Sequence, residues 1–199
     1  MAKRTGVLEV AVLGLLHESP MHGYELRKRL NTLLGTFRAI SYGSLYPCLK
    51  GMLRAGWIAE EEPAETEGAR PGKRAKIVYK LTADGKEHFA ELMAASGPEE
   101  WDDDNFGVRF AFFSRTDAAV RLRILEGRRG RLEERMDGFR NAAARTAERV
   151  DSYTLELQRH GLESVAREVR WLTELIDTER ANPRPAVPPT PSTTTENPK

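Results

Sequence analysis

Four hydroxyl-bearing side chains, Ser41, Tyr42, Ser44 and Tyr46, fall within six residues where an apolar helical spacing begins: Leu45, Leu49, Met52 and Leu53. Hydroxyls both donate and accept hydrogen bonds, and a helix N-terminus adds backbone N–H groups and partial positive charge. Together they suit phosphate oxygens and base edges. Lys50 and Arg54, further along the same helix, reach toward a sugar-phosphate chain. A second group of cations, Arg70, Lys73, Arg74 and Lys76, stands in a polar stretch punctuated by Pro63, Gly68, Pro71 and Gly72. That is the composition of a hairpin tip able to neutralise phosphates. Lys3, Arg4 and Tyr24 complete the set expected at a nucleic acid. Of the hydroxyl cluster, Tyr46 is the member expected to turn toward the core.

Other chemistries find no residues to perform them. No Ser-His-Asp arrangement, phosphate loop or cofactor motif stands out, so no enzyme activity and no cofactor are expected. His17, His22, His88 and His160 have no metal-ligand spacing and join no cysteine pair, so no metal is expected either. His22 is expected to help start the second helix. Cys48 is the one cysteine, which rules out an internal disulfide and reads as a small packing residue. The run Asp102 to Asp104 reads as a solvated linker. The formal net charge is +1, from 31 Lys and Arg against 30 Asp and Glu. Phosphate affinity follows clustering rather than the total, and residues 1–60 carry a basic excess. The apolar run from Val7 to Leu16 is far too short for a membrane span, and with Glu9 inside it and Glu18-Ser19-Pro20 after it, it lacks the order of a signal peptide, so a cytoplasmic location is expected.

These side chains need elements to hold them. Val7, Leu8, Val10, Ala11, Leu13, Leu15 and Leu16 predict a largely buried first helix, stopped at Glu18-Ser19-Pro20. Tyr24, Leu26, Leu30, Leu33 and Leu34 predict a second, ending at Gly35. Ser41 caps a third that ends near Gly56, with Pro47 placed in its first turns. Residues 57–59 and 77–81 predict two short strands, and Thr82-Ala83-Asp84-Gly85 opens a fourth helix bearing Phe89, Leu92 and Met93. Three helices followed by a two-stranded wing make a winged helix-turn-helix, whose third helix enters the major groove.

Several segments then resemble the PadR family of transcriptional regulators. They are Leu8-Glu9-Val10-Ala11-Val12-Leu13-Gly14-Leu15-Leu16, Met21-His22-Gly23-Tyr24-Glu25-Leu26, Gly43-Ser44-Leu45-Tyr46-Pro47-Cys48-Leu49 and Tyr79-Lys80-Leu81-Thr82-Ala83-Asp84-Gly85, in the family's order. Phe106 to Leu125 is similar to the start of the long C-terminal domain of one subgroup. The resemblance implies a homodimer on a pseudo-palindromic operator, repressing nearby genes until a small aromatic or otherwise apolar effector loosens it. Met52-Leu53-Arg54 and Cys48 depart from the family's pattern and leave operator preference open.

The fold class expected is thus mainly α with a small two-stranded β wing: an N-terminal winged helix-turn-helix plus a C-terminal antiparallel helical dimerisation domain. The boundaries expected are 1–96 for the DNA-binding domain, 97–104 for a linker, 105–181 for the helical domain and 182–199 for a disordered tail. Ser114 or Thr116 is expected to cap a long helix, weakened at Gly127 and Gly130 and broken at Gly161, after which a last helix begins. Leu132, Met136, Phe139, Val150, Val169, Leu172 and Ile176 are the expected dimer contacts. Phe106, Phe110, Phe113 and Trp171 are the aromatic residues available to an effector, with Trp101 a lesser one. The alternative reading is a winged-helix docking module that binds protein and not DNA, against which the basic wing argues.

Overall fold

The computed structural model describes residues 2–34, 41–61, 77–146 and 151–186. Helices α1 (Ala2–Glu18), α2 (Gly23–Leu34) and α3 (Tyr42–Arg54) come first, with a two-residue strand β1 (Met21–His22) between α1 and α2. Strands β2 (Ile58–Glu61) and β3 (Val78–Leu81) follow, then α4 (Ala83–Ala94), α5 (Asp103–Ala111), α6 (Ala118–Thr146) and α7 (Ser152–Ala181). Short 3-10 turns occupy Pro98–Trp101, inside the stretch read as a linker, and Phe113–Arg115. Internal contacts divide the described chain into two compact units. The first holds residues 2–94 and 107–115, the second 95–106 and 116–186.

In the first unit α1 is the central post, and Val7, Leu8 and every residue from Val10 to Leu16 except Gly14 are buried apolar side chains. Around it pack Leu26, Leu30 and Leu34 of α2, Leu45, Cys48, Leu49 and Met52 of α3, Ile58, Tyr79, and Phe89 and Met93 of α4. Each such side chain contributes on the order of 1.5–3 kcal/mol of hydrophobic stabilisation. Residues 107–115 belong here because Val108 and Phe112 join this core. A Cβ on Gly14 would lie 2.3 Å from the Phe112 ring, so the glycine is the slot that the ring fills. Arg109, 2% exposed, donates to the carbonyls of Leu92 (2.5 Å) and Met93 (3.1 Å). Its cation thereby satisfies the last turn of α4, where the helix dipole is negative.

The sheet has three strands, not two, in the order β1-β3-β2, all antiparallel. Met21 pairs with Tyr79 and His22 with Val78, while Ile58 to Glu61 pair with Leu81 to Val78 in reverse. His22 is thus a strand residue directly before the first residue of α2, and its Nδ1 lies 3.1 Å from the Ile77 carbonyl. The β2 to β3 register brings Lys80 to Glu61 at 2.9 Å. Thr82 joins the sheet's end to α3 and α4 at once. Its hydroxyl donates to the Gly56 carbonyl (2.6 Å) and accepts from the Gly85 N–H (3.0 Å). Gly85 is required because a Cβ there would sit 1.9 Å from the Trp57 carbonyl oxygen.

The second unit is built on the hairpin of α6 and α7. Arg121 of α6 bonds Glu179 of α7, and Arg128 bonds Glu168 at 2.7 Å, so the helices run antiparallel. Val120, Ile124, Leu125, Leu132, Leu172 and Ile176 are buried in this unit. Arg128 also donates to Asp103 (2.6 Å) and to the Trp101 carbonyl (3.1 Å), with its guanidinium 4.9 Å from the Phe106 ring centre. Burial pushes the Asp103 carboxyl up, but hydrogen bonds and charge from Arg128 and Arg135 outweigh it and hold the pKa below the usual value.

Three expectations for this half are corrected. The N-terminal capping contact of α6 comes from Asp117, whose Oδ1 accepts from the Ala119 N–H at 2.8 Å, not from Ser114 or Thr116. Gly161, where a break was expected, lies inside the 30-residue α7, while Gly127 and Gly130 lie within the 29-residue α6. α7 begins instead at the cap Asp151, whose carboxylate accepts from the N–H groups of Tyr153 and Thr154. A mid-helix glycine costs only ~1 kcal/mol, too little to overrule such packing. Val150, Gly35 and residues 187–199 of the expected tail lie outside the described residues.

Candidate nucleic-acid interface

The face that could read a polymer is the start of α3. Ser41 has the extended backbone of an N-cap, φ −92° and ψ 159°, and its carbonyl accepts from the N–H groups of Ser44 (3.2 Å) and Leu45 (3.1 Å). Its side chain makes no cap bond to the helix. Instead the Ser44 hydroxyl donates to the Ser41 carbonyl at 2.9 Å, and the two hydroxyl oxygens lie 3.3 Å apart. The expected cap position therefore holds while the hydroxyls gather on the outer surface. Leu45, Cys48, Leu49 and Met52 turn inward, which sends Tyr42, Gly43, Ser44, Tyr46, Lys50 and Arg54 outward. Cys48 donates to the Met52 sulfur at 3.7 Å, and burial first, then the charge of Glu9, pushes its thiol pKa up to about 12.

Tyr42 is 38% exposed and Tyr46 45%, so Tyr46 does not turn into the core as expected. The two rings stack with centres 5.9 Å apart and planes at 23°. The Tyr46 ring also lies alongside Gly23, where a Cβ would be 3.5 Å from the Tyr46 hydroxyl and 3.6 Å from the Tyr79 ring. Burial, the charge of Glu60 and the nearby Tyr46 raise the pKa of Tyr79. Pro47 sits in the second turn of α3. It offers no N–H to the carbonyl of Gly43 four residues earlier, and because Gly43 is exposed, water can take up that bond.

Tyr24, 65% exposed, stands on α2 and lines a cleft of about 800 Å³ with Leu15, Glu18, His22, Lys28, Leu33 and Phe112. One residue missing from the sequence reading is Arg27 of α2, whose guanidinium lies 3.9 Å from the centre of the Tyr42 ring. An arginine on the polar side of a helix reads from sequence as solvated, and only its placement three residues after exposed Tyr24 could have hinted otherwise. Lys3 and Arg4 lie on α1, but their side chains are outside the described residues, as are the wing cations Arg70, Lys73, Arg74 and Lys76.

The remaining candidates fall into two groups. In the first unit Phe110 and Phe113 pack with ring centres 5.0 Å apart, and in the second Phe106 meets Trp171 edge-on at 6.2 Å. None of the four lines the cleft at α2. Of the expected dimer contacts, Leu132, Leu172 and Ile176 are already covered within one chain, because they pack the hairpin itself. Met136 and Val169 are half-buried and Phe139 is exposed. Among the described residues there is no group of three His, Cys, Asp or Glu placed to hold a metal, and no helix long and apolar enough to cross a membrane.

Three helices around one core, an outward-facing third helix and an antiparallel sheet after it define the winged helix-turn-helix class. Residues 12–91 match the model of the transcriptional regulator PadR-like family. The family is one of regulators, not enzymes. The chain is similar to the "Negative transcriptional regulator PadR" of Bacillus subtilis (strain 168), with 28% identity over 109 residues, 54% of this chain. It spans 57% of that curated relative's length. Among solved structures it is similar to a protein of Thermoplasma acidophilum provisionally assigned as a transcriptional regulator. There the identity is 30% and the TM-score 0.39, over 46% of this chain and 79% of that one. It is also similar to Bacillus subtilis PadR in complex with operator DNA, at 20% identity and TM-score 0.42 over 86% and 98% of the two chains.

Proposed function

We propose that the chain is a repressor that binds a pseudo-palindromic DNA operator as a homodimer and is released by a small aromatic or apolar effector. The observation that carries this reading is the outward face of α3, where Ser41, Tyr42, Ser44 and Tyr46 surround a helix N-terminus. Hydroxyls and backbone N–H groups placed there suit phosphates and base edges, and Lys50 and Arg54 extend the face along the strand. Lys3, Arg4, Tyr24 and the wing cations Arg70, Lys73, Arg74 and Lys76 are the further proposed contacts. The name of the Bacillus subtilis relative, a negative regulator, supports repression as the direction.

Two-fold dimers place their recognition helices about 34 Å apart, one turn of DNA, so a ligand that alters this spacing lowers affinity. Phe106, Phe110, Phe113 and Trp171 are the proposed effector contacts. Mobility shifts of promoter DNA at moderate and high salt test the DNA reading, with Tyr42→Ala and Lys73→Ala beside the wild type. Tyr42→Ala should relax sequence preference. Lys73→Ala should lower affinity for all duplexes and reduce the salt slope by about 1. Full specific affinity in both variants would count against the assignment of the interface.

A further inference from the structure

Arg27 and Tyr42 come from different helices and meet with the guanidinium carbon over the ring, 3.9 Å from its centre. Among the described residues the buried Nε of Arg27 has no hydrogen-bond partner, so the ring, not a hydrogen-bonded acceptor, is the neighbour that this part of the side chain answers to. Tyr42 also stacks on Tyr46, and Tyr46 in turn lies beside Gly23 at the start of α2, where the Tyr79 ring of β3 is also near. The result is a ladder of Arg27, Tyr42 and Tyr46, closed at one end by a cation and at the other by the sheet. A tyrosine on an exposed helix face ordinarily exchanges rotamers freely. In contact with both a guanidinium and a second ring, Tyr42 is restrained where a lone surface tyrosine is not.

We propose that Arg27 is a positioning residue that clamps the Tyr42 ring, and through it sets how sharply α3 distinguishes one DNA sequence from another. The inference rests on the DNA-binding reading for its consequence, but not for its geometry. Arg27 is assigned to the ring because its guanidinium carbon lies over it, 3.9 Å from the centre; a phosphate contact is the competing role that the experiment separates. A guanidinium stacks as a plane whereas an ammonium is a compact, strongly hydrated charge, so lysine keeps the charge and loses the clamp.

The experiment compares the wild type with Arg27→Lys and Arg27→Met. The first probe is a duplex enriched by the wild-type protein from a random-sequence pool, measured against a scrambled duplex of the same composition across a salt series. Both variants are expected to lose roughly tenfold in preference for the enriched duplex, with the salt slope unchanged in Arg27→Lys. The second probe needs no DNA: spectra of ¹³C-labelled tyrosine, in which both variants are expected to shift and average the Tyr42 ring signals while the other tyrosines stay put. Full sequence preference in Arg27→Lys with a slope reduced by about 1 in Arg27→Met would make Arg27 a phosphate contact and overturn the proposal. Unchanged Tyr42 signals in both variants would overturn it too. Should the wild type enrich no duplex, the DNA reading fails on its own while the spectra still decide the clamp.

Discussion

Single positions in this protein are fixed by what lies within a few ångströms of them. A Cβ at residue 85 would meet the Trp57 carbonyl at 1.9 Å, a backbone atom that cannot swing aside. Gly85→Ala should therefore cost about 1–3 kcal/mol, read as a lower urea midpoint, or prevent folding outright. Cys48 gives a pH test. Its thiol is raised from an ordinary 9.0 to about 12 by burial. Between those values the unfolded chain has lost the proton and the folded one keeps it, so stability falls as pH rises through that window. Cys48→Ala should flatten that fall, and the wild-type thiol should resist iodoacetamide at neutral pH until denaturant is added; rapid native alkylation would contradict its burial. The sequence showed Cys48 as a packing residue because it sits in register with Leu45, Leu49 and Met52. It hid Arg27 and Arg109, since a lone arginine reads as solvent-facing until the carbonyls or ring that meet it are known.

At the level of elements, legibility tracked local spacing. The first four helices could be read because α1 is a near-continuous apolar run, apolar residues recur every three or four positions in the next three, and Pro20, Gly56, Thr82 and Gly97 punctuate them. β1 could not, because two residues show no alternation and their partners, Tyr79 and Val78, lie more than fifty positions away. The α7 start was misplaced for a related reason: Tyr153 and Leu157 carry on the earlier periodicity, although both are exposed. Asp151 decides the matter with two N–H groups held by one carboxylate. Gly161 now stands within a helix with nothing inside 4 Å of where its Cβ would be. Gly161→Ala should accordingly raise stability by about 0.5–1 kcal/mol; a loss of that size in thermal melts would mean that the position contacts a second copy.

For the molecule as a whole, one chain leaves several large apolar side chains bare. Phe139, Tyr153, Leu155 and Leu157 are exposed on α6 and α7, and Leu157 is 71% so. A partner copy seated there would be weakened by Leu157→Glu, so sedimentation velocity at micromolar concentration should show the variant shifted toward monomer with its helix content intact. A dimer indifferent to this change and to Phe139→Glu would use another surface. The first unit, for its part, is assembled from two stretches, and the later one supplies the Phe112 ring at Gly14 and the Arg109 cation under α4. A cut after residue 96 would leave that slot empty and those carbonyls bare. The head therefore cannot be transplanted as a cassette between relatives: a working chimera must keep residues 107–115 matched to the α1 they plug, whichever hairpin follows.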